Sequence, residues 1–102
     1  MPRWGLAVVR GASMEPTLRG GDRLFVSYRR RPRPGAIVVA RFPDGTVAVK
    51  RAAERRTTGW WLVSDHPAEG VDSRHRGPVP EGDVLGVVLA RAWPRPGPVG
   101  RP

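Results

Sequence analysis

The sequence predicts an all-β domain, and three observations carry that reading. Short apolar runs are each closed by Gly, Pro or Asp. No segment sustains the 3.6-residue apolar period of an amphipathic helix. The longest uncharged apolar stretches, Gly35–Ala40 and Val84–Ala90, have the length of a strand and fall far short of the ~20 residues of a spanning helix.

Taken in order, Gly5–Arg10 reads as a first strand. Ser13–Leu18 contains Pro16 and Thr17 and suits a turn or a single helical turn. Gly20, Gly21 and Asp22 make a turn before a strand at Arg23–Tyr28. Arg29–Gly35 is a basic, proline-rich loop ending in a Pro34–Gly35 turn. Ala36–Phe42 is the next strand, and Pro43-Asp44-Gly45 is a hairpin signal. Thr46–Arg56 and Gly59–Val63 form a pair of strands joined near Thr57–Gly59. Ser64–Asp83 is a long irregular loop, a feature that in a compact domain is often functional. Val84–Trp93 is the last strand. The reading is therefore one domain over residues 1–93, followed by a disordered Pro/Gly/Arg tail over residues 94–102.

With 102 residues, the chain can bury a modest core. It has no cysteine, which rules out disulfides and thiolate metal sites. Two histidines with scattered carboxylates do not suggest a metal site, and no cofactor motif is present. The net charge of +9 invites a nucleic-acid interface. However, 17 of the 18 basic residues are arginine in a Gly-, Pro-, Ala- and Val-rich chain, a bias typical of GC-rich coding, so a solvated basic surface is the preferred reading. Such a surface still steers acidic substrates. No secretory leader and no membrane anchor are visible, and the expected location is the cytoplasm.

Three segments could carry chemistry. Lys50 is the one lysine among seventeen arginines. Arginine stays protonated, whereas lysine loses its proton when buried or placed near cations, so Lys50 is a candidate general base. In Thr46-Val47-Ala48-Val49-Lys50, Val47 and Val49 share one strand face, while Thr46, Ala48 and Lys50 share the other. Ser13 follows Gly11 and Ala12 and precedes a Pro-Thr turn; small neighbours admit a substrate backbone, and a turn can aim N–H groups at an oxyanion. Serine is a poor nucleophile without a base, so Ser13 would need a partner; taken singly, Ser13 also reads as an ordinary loop serine and Lys50 as a surface lysine at a strand end. On the long loop, Asp72 and Arg74 could pair and brace a site, while His66 and His75 read as loop histidines.

In this order and spacing the segments resemble the signal peptidase I superfamily of serine–lysine proteases. Ser13-Met14-Glu15-Pro16-Thr17-Leu18 is similar to its nucleophile motif, Gly21-Asp22 to its next block, Val49-Lys50-Arg51 to its base-bearing strand, and Asp72-Ser73-Arg74 with Gly77 to its last box. The likeness runs from about Val8 to Leu89. It implies a small mixed β-barrel or sandwich of the signal-peptidase/repressor-peptidase type, with Ser13 as nucleophile and Lys50 as base. It further implies an oxyanion hole of backbone N–H groups near Ser13 and Gly11, support from Asp72 and Arg74, and Met14 packed below Ser13. Arg51 is a nearby cation that could help lower the lysine pKa. Three places depart from the family pattern: Gly70 stands where many members carry a serine that hydrogen-bonds the lysine; Gly11 stands where bacterial members with an oxyanion hydroxyl carry a serine, which leaves the oxyanion to backbone N–H groups; and Ser64-Asp65-His66 replaces Gly-Asp-Asn, keeping only Asp65.

Within the superfamily, Gly59-Trp60-Trp61 and Gly77-Pro78-Val79-Pro80 resemble the nickel-type superoxide dismutase maturation proteases. That likeness implies removal of the N-terminal propeptide from a superoxide dismutase precursor, with the nickel belonging to the substrate. Two alternatives remain at this level. A self-processing repressor-type peptidase would need an Ala-Gly site, and the chain has no Ala-Gly pair. A basic β-domain binding nucleic acid would account for the charge and the tryptophans but not for the single lysine.

Overall fold

The computed structural model describes residues 2–99. Six strands form one open sheet: β1 (Trp4–Val8), β2 (Arg23–Ser27), β3 (Ile37–Arg41), β4 (Val47–Arg56), β5 (Gly59–Val63) and β6 (Val84–Trp93). Their spatial order is β1-β2-β6-β3-β4-β5, and every pairing between these strands is antiparallel. The all-β class read from the sequence is the class observed, with strand limits within two residues of those expected.

β3 sits inside the sheet and is buried on both faces, which explains why its sequence is a continuous apolar run and not an alternation. Val38 and Ala40 join Phe42, Ala52, Trp60, Leu62, Val79 and Val87 in one cluster. Ile37 joins Val9, Met14, Leu18, Leu24, Val26 and Val88 in the other. The second cluster holds the turn after β1, and the first holds the loop after β5. The two segments richest in candidate chemistry are thus anchored through apolar burial.

The Ser64–Asp83 loop is more ordered than its composition suggests. It contains a one-turn helix, α1 (Ser73–Arg76), and a short 3₁₀ turn at Glu81–Asp83. Val79 bridges Trp60 through two 2.8 Å backbone hydrogen bonds. Gly59 has a φ of 137°, and a Cβ there would collide with the Val79 carbonyl. The Gly-Trp-Trp and Gly-Pro-Val-Pro runs are therefore two halves of one contact.

The chain from Pro94, expected to be an unstructured tail, turns back within the described residues. Arg91 and Gly97 exchange backbone hydrogen bonds of 2.8 and 3.1 Å, and Val99 packs against the Met14 cluster. Residues 100–102 of that expected tail, and Met1, lie outside the described residues.

Candidate active site

Beyond β1 the chain turns at Gly11, whose φ of 74° suits glycine. Met14 and Leu18 are buried, and Leu18 N–H donates to the Met14 carbonyl at 2.9 Å. This one-turn clamp leaves Ser13 half-buried, while Met14 is buried in the cluster with Val9 and Leu18. From the opposite side, Arg91 Nη2 donates to the Thr17 carbonyl at 2.9 Å and Arg91 Nε to Asp22 at 3.1 Å. Sequence reading passed over Arg91, because nothing in its strand marks it as different from the other arginines.

Lys50 lies on β4, is 2% exposed, and donates from Nζ to Ser64 Oγ at 3.1 Å. The third participant is Gly70. A Cβ at Gly70 would stand 2.9 Å from Ser13 Cβ, 3.1 Å from Lys50 Nζ and 3.7 Å from Ser13 Oγ. The serine and the lysine therefore converge on the empty side of a glycine with a φ of 74°. A hydroxyl at position 70 does not fit this arrangement, and Ser64, six residues earlier, holds the lysine instead.

The segment Ser64-Asp65-His66 ties the site together. Asp65 accepts from Arg51 Nε at 3.1 Å, from Arg51 Nη2 at 2.6 Å and from Thr17 Oγ1 at 2.5 Å. It thereby joins the nucleophile turn to the strand of the base. His66 N–H donates to the Ser13 carbonyl at 2.9 Å. His66 Nδ1 is buried without a partner among the described residues. Sequence reading saw only Asp65 as retained here; the signal it missed was three consecutive polar residues at the end of a buried strand.

The Asp72-Ser73-Arg74 box works as a brace one step back. Asp72 is fully buried, caps α1 and accepts from Ser64 N–H at 2.8 Å. Ser73 Oγ accepts from Leu62 N–H at 2.8 Å. Arg74 grips Asp72 through Nη2 at 2.7 Å and Nε at 3.0 Å. The line Arg74–Asp72–Ser64–Lys50 thus runs from solvent to the amine. His75 completes the cap by accepting from Asp72 N–H at 3.4 Å, which gives it a local structural place.

The family sequence model for peptidase S24-like proteins matches residues 3–89 of this chain. The chain belongs to the peptidase S24-like family. It is 30% identical over 112 residues to mitochondrial inner membrane protease subunit 1 of Schizosaccharomyces pombe, across 84% of this chain and 71% of that protein. It is 27% identical over 116 residues to the protein of the same name in Mus musculus, across 88% and 70%. Family and relatives place the chain among peptidases.

In this S24-like peptidase a groove of about 760 Å³ adjoins the two residues. Its lining comes from Ala7–Met14, from Thr46–Lys50 with Val39 and Phe42, and from Glu69–Val71 with Arg76. Phe42 N–H donates to the Thr46 carbonyl, so the alternating β3–β4 ladder turns the backbone groups of Val47 and Val49 away from β3. Val9 N–H donates to the Asp22 carbonyl, so those of Val8 turn away from β2 by the same parity. β5 begins its pairing only at Arg51, and β1 is an edge strand. Two stretches of unpaired strand edge therefore border the groove.

Burial pushes the Lys50 amine below the ordinary lysine range; the Asp72 carboxylate opposes that shift, and the Arg74 cation reinforces it. Arg51, expected to act as a nearby cation, is not among these causes: its guanidinium is committed to Asp65 and the Gly35 carbonyl. Burial alone would raise the Asp72 carboxyl, but hydrogen bonds from Arg74 and from Ser64 N–H hold it well below the usual carboxylate range. Among the described residues, no group of three His, Cys, Asp or Glu could hold a metal ion.

Proposed function

We propose that this S24-like peptidase is a serine–lysine endopeptidase that removes the N-terminal propeptide of a nickel-type superoxide dismutase precursor in the cytoplasm. The observation that carries the chemistry is the convergence of Ser13 and the buried Lys50 on the space left by Gly70. The two unpaired edges suit a substrate bound in extended form, its backbone hydrogen-bonded to the Val8 edge on one side and the Val47 and Val49 edge on the other. The Gly59-Trp60-Trp61 and Gly77–Pro80 runs support the choice of substrate through resemblance.

Neutral Lys50 takes the proton of Ser13 Oγ as that oxygen bonds to the scissile carbonyl carbon. The oxyanion is met by the Ser13 N–H, for which no intramolecular acceptor exists among the described residues, at the rim formed with Gly11. The C–N bond breaks, and Lys50 returns the proton to the leaving amine. Lys50 then takes a proton from water as the water attacks the acyl carbon, and passes that proton to Ser13 Oγ as the acyl carbon–oxygen bond breaks. Burial is the largest cause that holds the Lys50 amine below the ordinary lysine range, and this favours the neutral form the mechanism uses.

The test is incubation of the protein with a nickel-type superoxide dismutase precursor, followed by N-terminal sequencing of the product. A single new N-terminus formed by the wild type and absent with Ser13→Ala is expected. Cleavage by Ser13→Ala at the wild-type rate removes the dyad. A precursor left intact while other peptides are cut removes the substrate assignment and keeps the chemistry.

A further inference from the structure

The loop between β2 and β3 carries the densest positive charge on the chain. Arg29, Arg30, Arg31 and Arg33 are all exposed, and no Asp or Glu occurs between Asp22 and Asp44. Arginines elsewhere are matched: Arg51, Arg55, Arg56, Arg74, Arg76 and Arg91 each face a carboxylate at 3.1 Å or less. Among the described residues, none of the four loop side chains makes an ion pair or a hydrogen bond. Like charges held this close repel one another, and a counter-charge from outside relieves that repulsion.

The backbone beneath these cations is held at both ends. Ser27 Oγ accepts from the N–H of Arg29 at 3.3 Å and of Arg30 at 3.1 Å. Ala36 N–H donates to the Arg33 carbonyl at 2.9 Å, and Gly35 N–H to the Ala52 carbonyl at 2.7 Å. Pro32 and Pro34 restrict the stretch between. A loop held this way loses little freedom on binding. It also adjoins the site, because the Gly35 carbonyl accepts from Arg51 Nη1 at 2.9 Å. The groove follows β4 from Thr46 to Lys50, whereas the loop meets that strand at Arg51 and Ala52. Val38 faces Lys50 in the ladder, and the chain from Arg33 to Val38 spans at most about 18 Å. A polypeptide lying along β4 and continuing past Lys50 comes within reach of Arg33 after roughly seven residues.

We propose that the Arg29–Arg33 loop docks an acidic stretch of the substrate polypeptide, on the far side of the scissile bond from the groove. The proposal deepens the peptidase reading and rests on it, since it gives the groove and the loop one occupant. A nucleic acid would meet the charge of the loop without entering the groove, and only a polypeptide engages both. Docking of this kind raises the local concentration of substrate, so it acts on KM and leaves the chemical step alone.

The experiment uses a fluorescein-labelled peptide whose neutral Gly/Ser spacer ends in a run of glutamates, beside the same peptide ending in glutamines. Anisotropy with the full chain should show binding of the Glu peptide roughly ten-fold or more tighter at low salt, a difference that high salt removes. The quadruple variant Arg29→Gln, Arg30→Gln, Arg31→Gln, Arg33→Gln should bind the two peptides alike, while Ser13→Ala should bind them as the wild type does. The same two tails are then joined roughly seven residues past the scissile bond of a peptide that the wild type cuts. The Glu tail should lower KM roughly ten-fold at unchanged kcat, and only with the four arginines present. None of the four lines the groove, so turnover of the Gln-tailed peptide should match the wild type. Binding of the Glu peptide through the four arginines with no peptide cut supports the docking site and overturns the peptidase reading instead. Equal binding of the two peptides by the wild type, or equal KM for the two tails, overturns the docking site and leaves the peptidase reading standing. So does a single-stranded DNA oligonucleotide of equal charge that binds through the same arginines ten-fold or more tighter, which assigns the loop to nucleic acid.

Discussion

Lys50 Nζ donates to Ser64 Oγ at 3.1 Å, and both side chains are buried. The hydroxyl that holds the amine therefore comes from the end of β5, while Gly70 lies against Ser13. Ser64 is itself held by Asp72, which accepts its N–H at 2.8 Å. Replacing Ser64 by alanine removes the amine's hydrogen-bond partner without disturbing that backbone contact. Turnover should fall about 10–100-fold, because a misplaced base loses its alignment with the serine. Ser64→Thr keeps a hydroxyl and should recover part of the loss. Steady-state kinetics of the two variants on one substrate checks this, and a Ser64→Ala enzyme with wild-type kcat removes the positioning role.

Restoring the family's serine at position 70 should be harmful here. A Cβ at that position falls 2.9 Å from Ser13 Cβ and 3.1 Å from Lys50 Nζ, and the φ of 74° strains any residue but glycine. Gly70→Ser and Gly70→Ala should both lose most activity, together with about 1–3 kcal/mol of stability. Urea unfolding beside the activity assay separates this from a loss of the hydroxyl, since the two variants should behave alike. An active Gly70→Ser enzyme would show that the serine can move.

The contrast between positions 64 and 70 marks how far the sequence could be read. Strands were legible because each apolar run ends at a residue with a physical reason to end it, as at Pro43–Gly45. Lys50 stood out because a chain built on arginine had no other lysine. Ser64 did not stand out, since a serine at a strand end is ordinary until its partner is known to lie fourteen residues upstream across the sheet. Arg91 was hidden for the same reason: its contacts with Asp22 and the Thr17 carbonyl span most of the chain. The order of the long loop was also missed, because its glycines and prolines read as irregular while Asp72 and Ser73 fold it onto β5.

Asp65 should be the most costly of the supporting residues to remove. It is 9% exposed at its side chain and faces an Arg51 side chain that is 5% exposed. Asp65→Ala breaks this buried ion pair from one side, which typically costs about 3–5 kcal/mol. In a domain of this size the melting temperature should drop by about 10 °C or more. Thr17→Val keeps the ion pair and removes only the hydroxyl link to the nucleophile turn. It should cost about 1–3 kcal/mol and lower turnover. Thermal melts of the two variants decide it, and equal, small effects would refute the ion pair's role.

The last prediction concerns the protonation state of Lys50. Burial lowers its pKa in the folded chain, whereas in the unfolded chain it returns to ~10.4. Between these two values the unfolded chain holds a proton that the folded chain lacks, so stability should rise as pH increases across that window. Lys50→Met keeps the stem and removes the titration. Wild type should therefore gain stability relative to Lys50→Met between neutral and alkaline pH, as read by urea unfolding at each pH. Turnover by the wild type should rise with pH over the lower part of the same window, as the neutral amine becomes populated. Lys50→Arg keeps the charge but cannot give up its proton, and general-base catalysis is typically worth ~10²–10⁴-fold, so that variant should be nearly inactive. His66→Ala should retain most activity, because the bond from residue 66 to the Ser13 carbonyl is made by its backbone N–H. An active Lys50→Arg enzyme, or a His66→Ala enzyme as dead as Ser13→Ala, would move the base from Lys50 to His66.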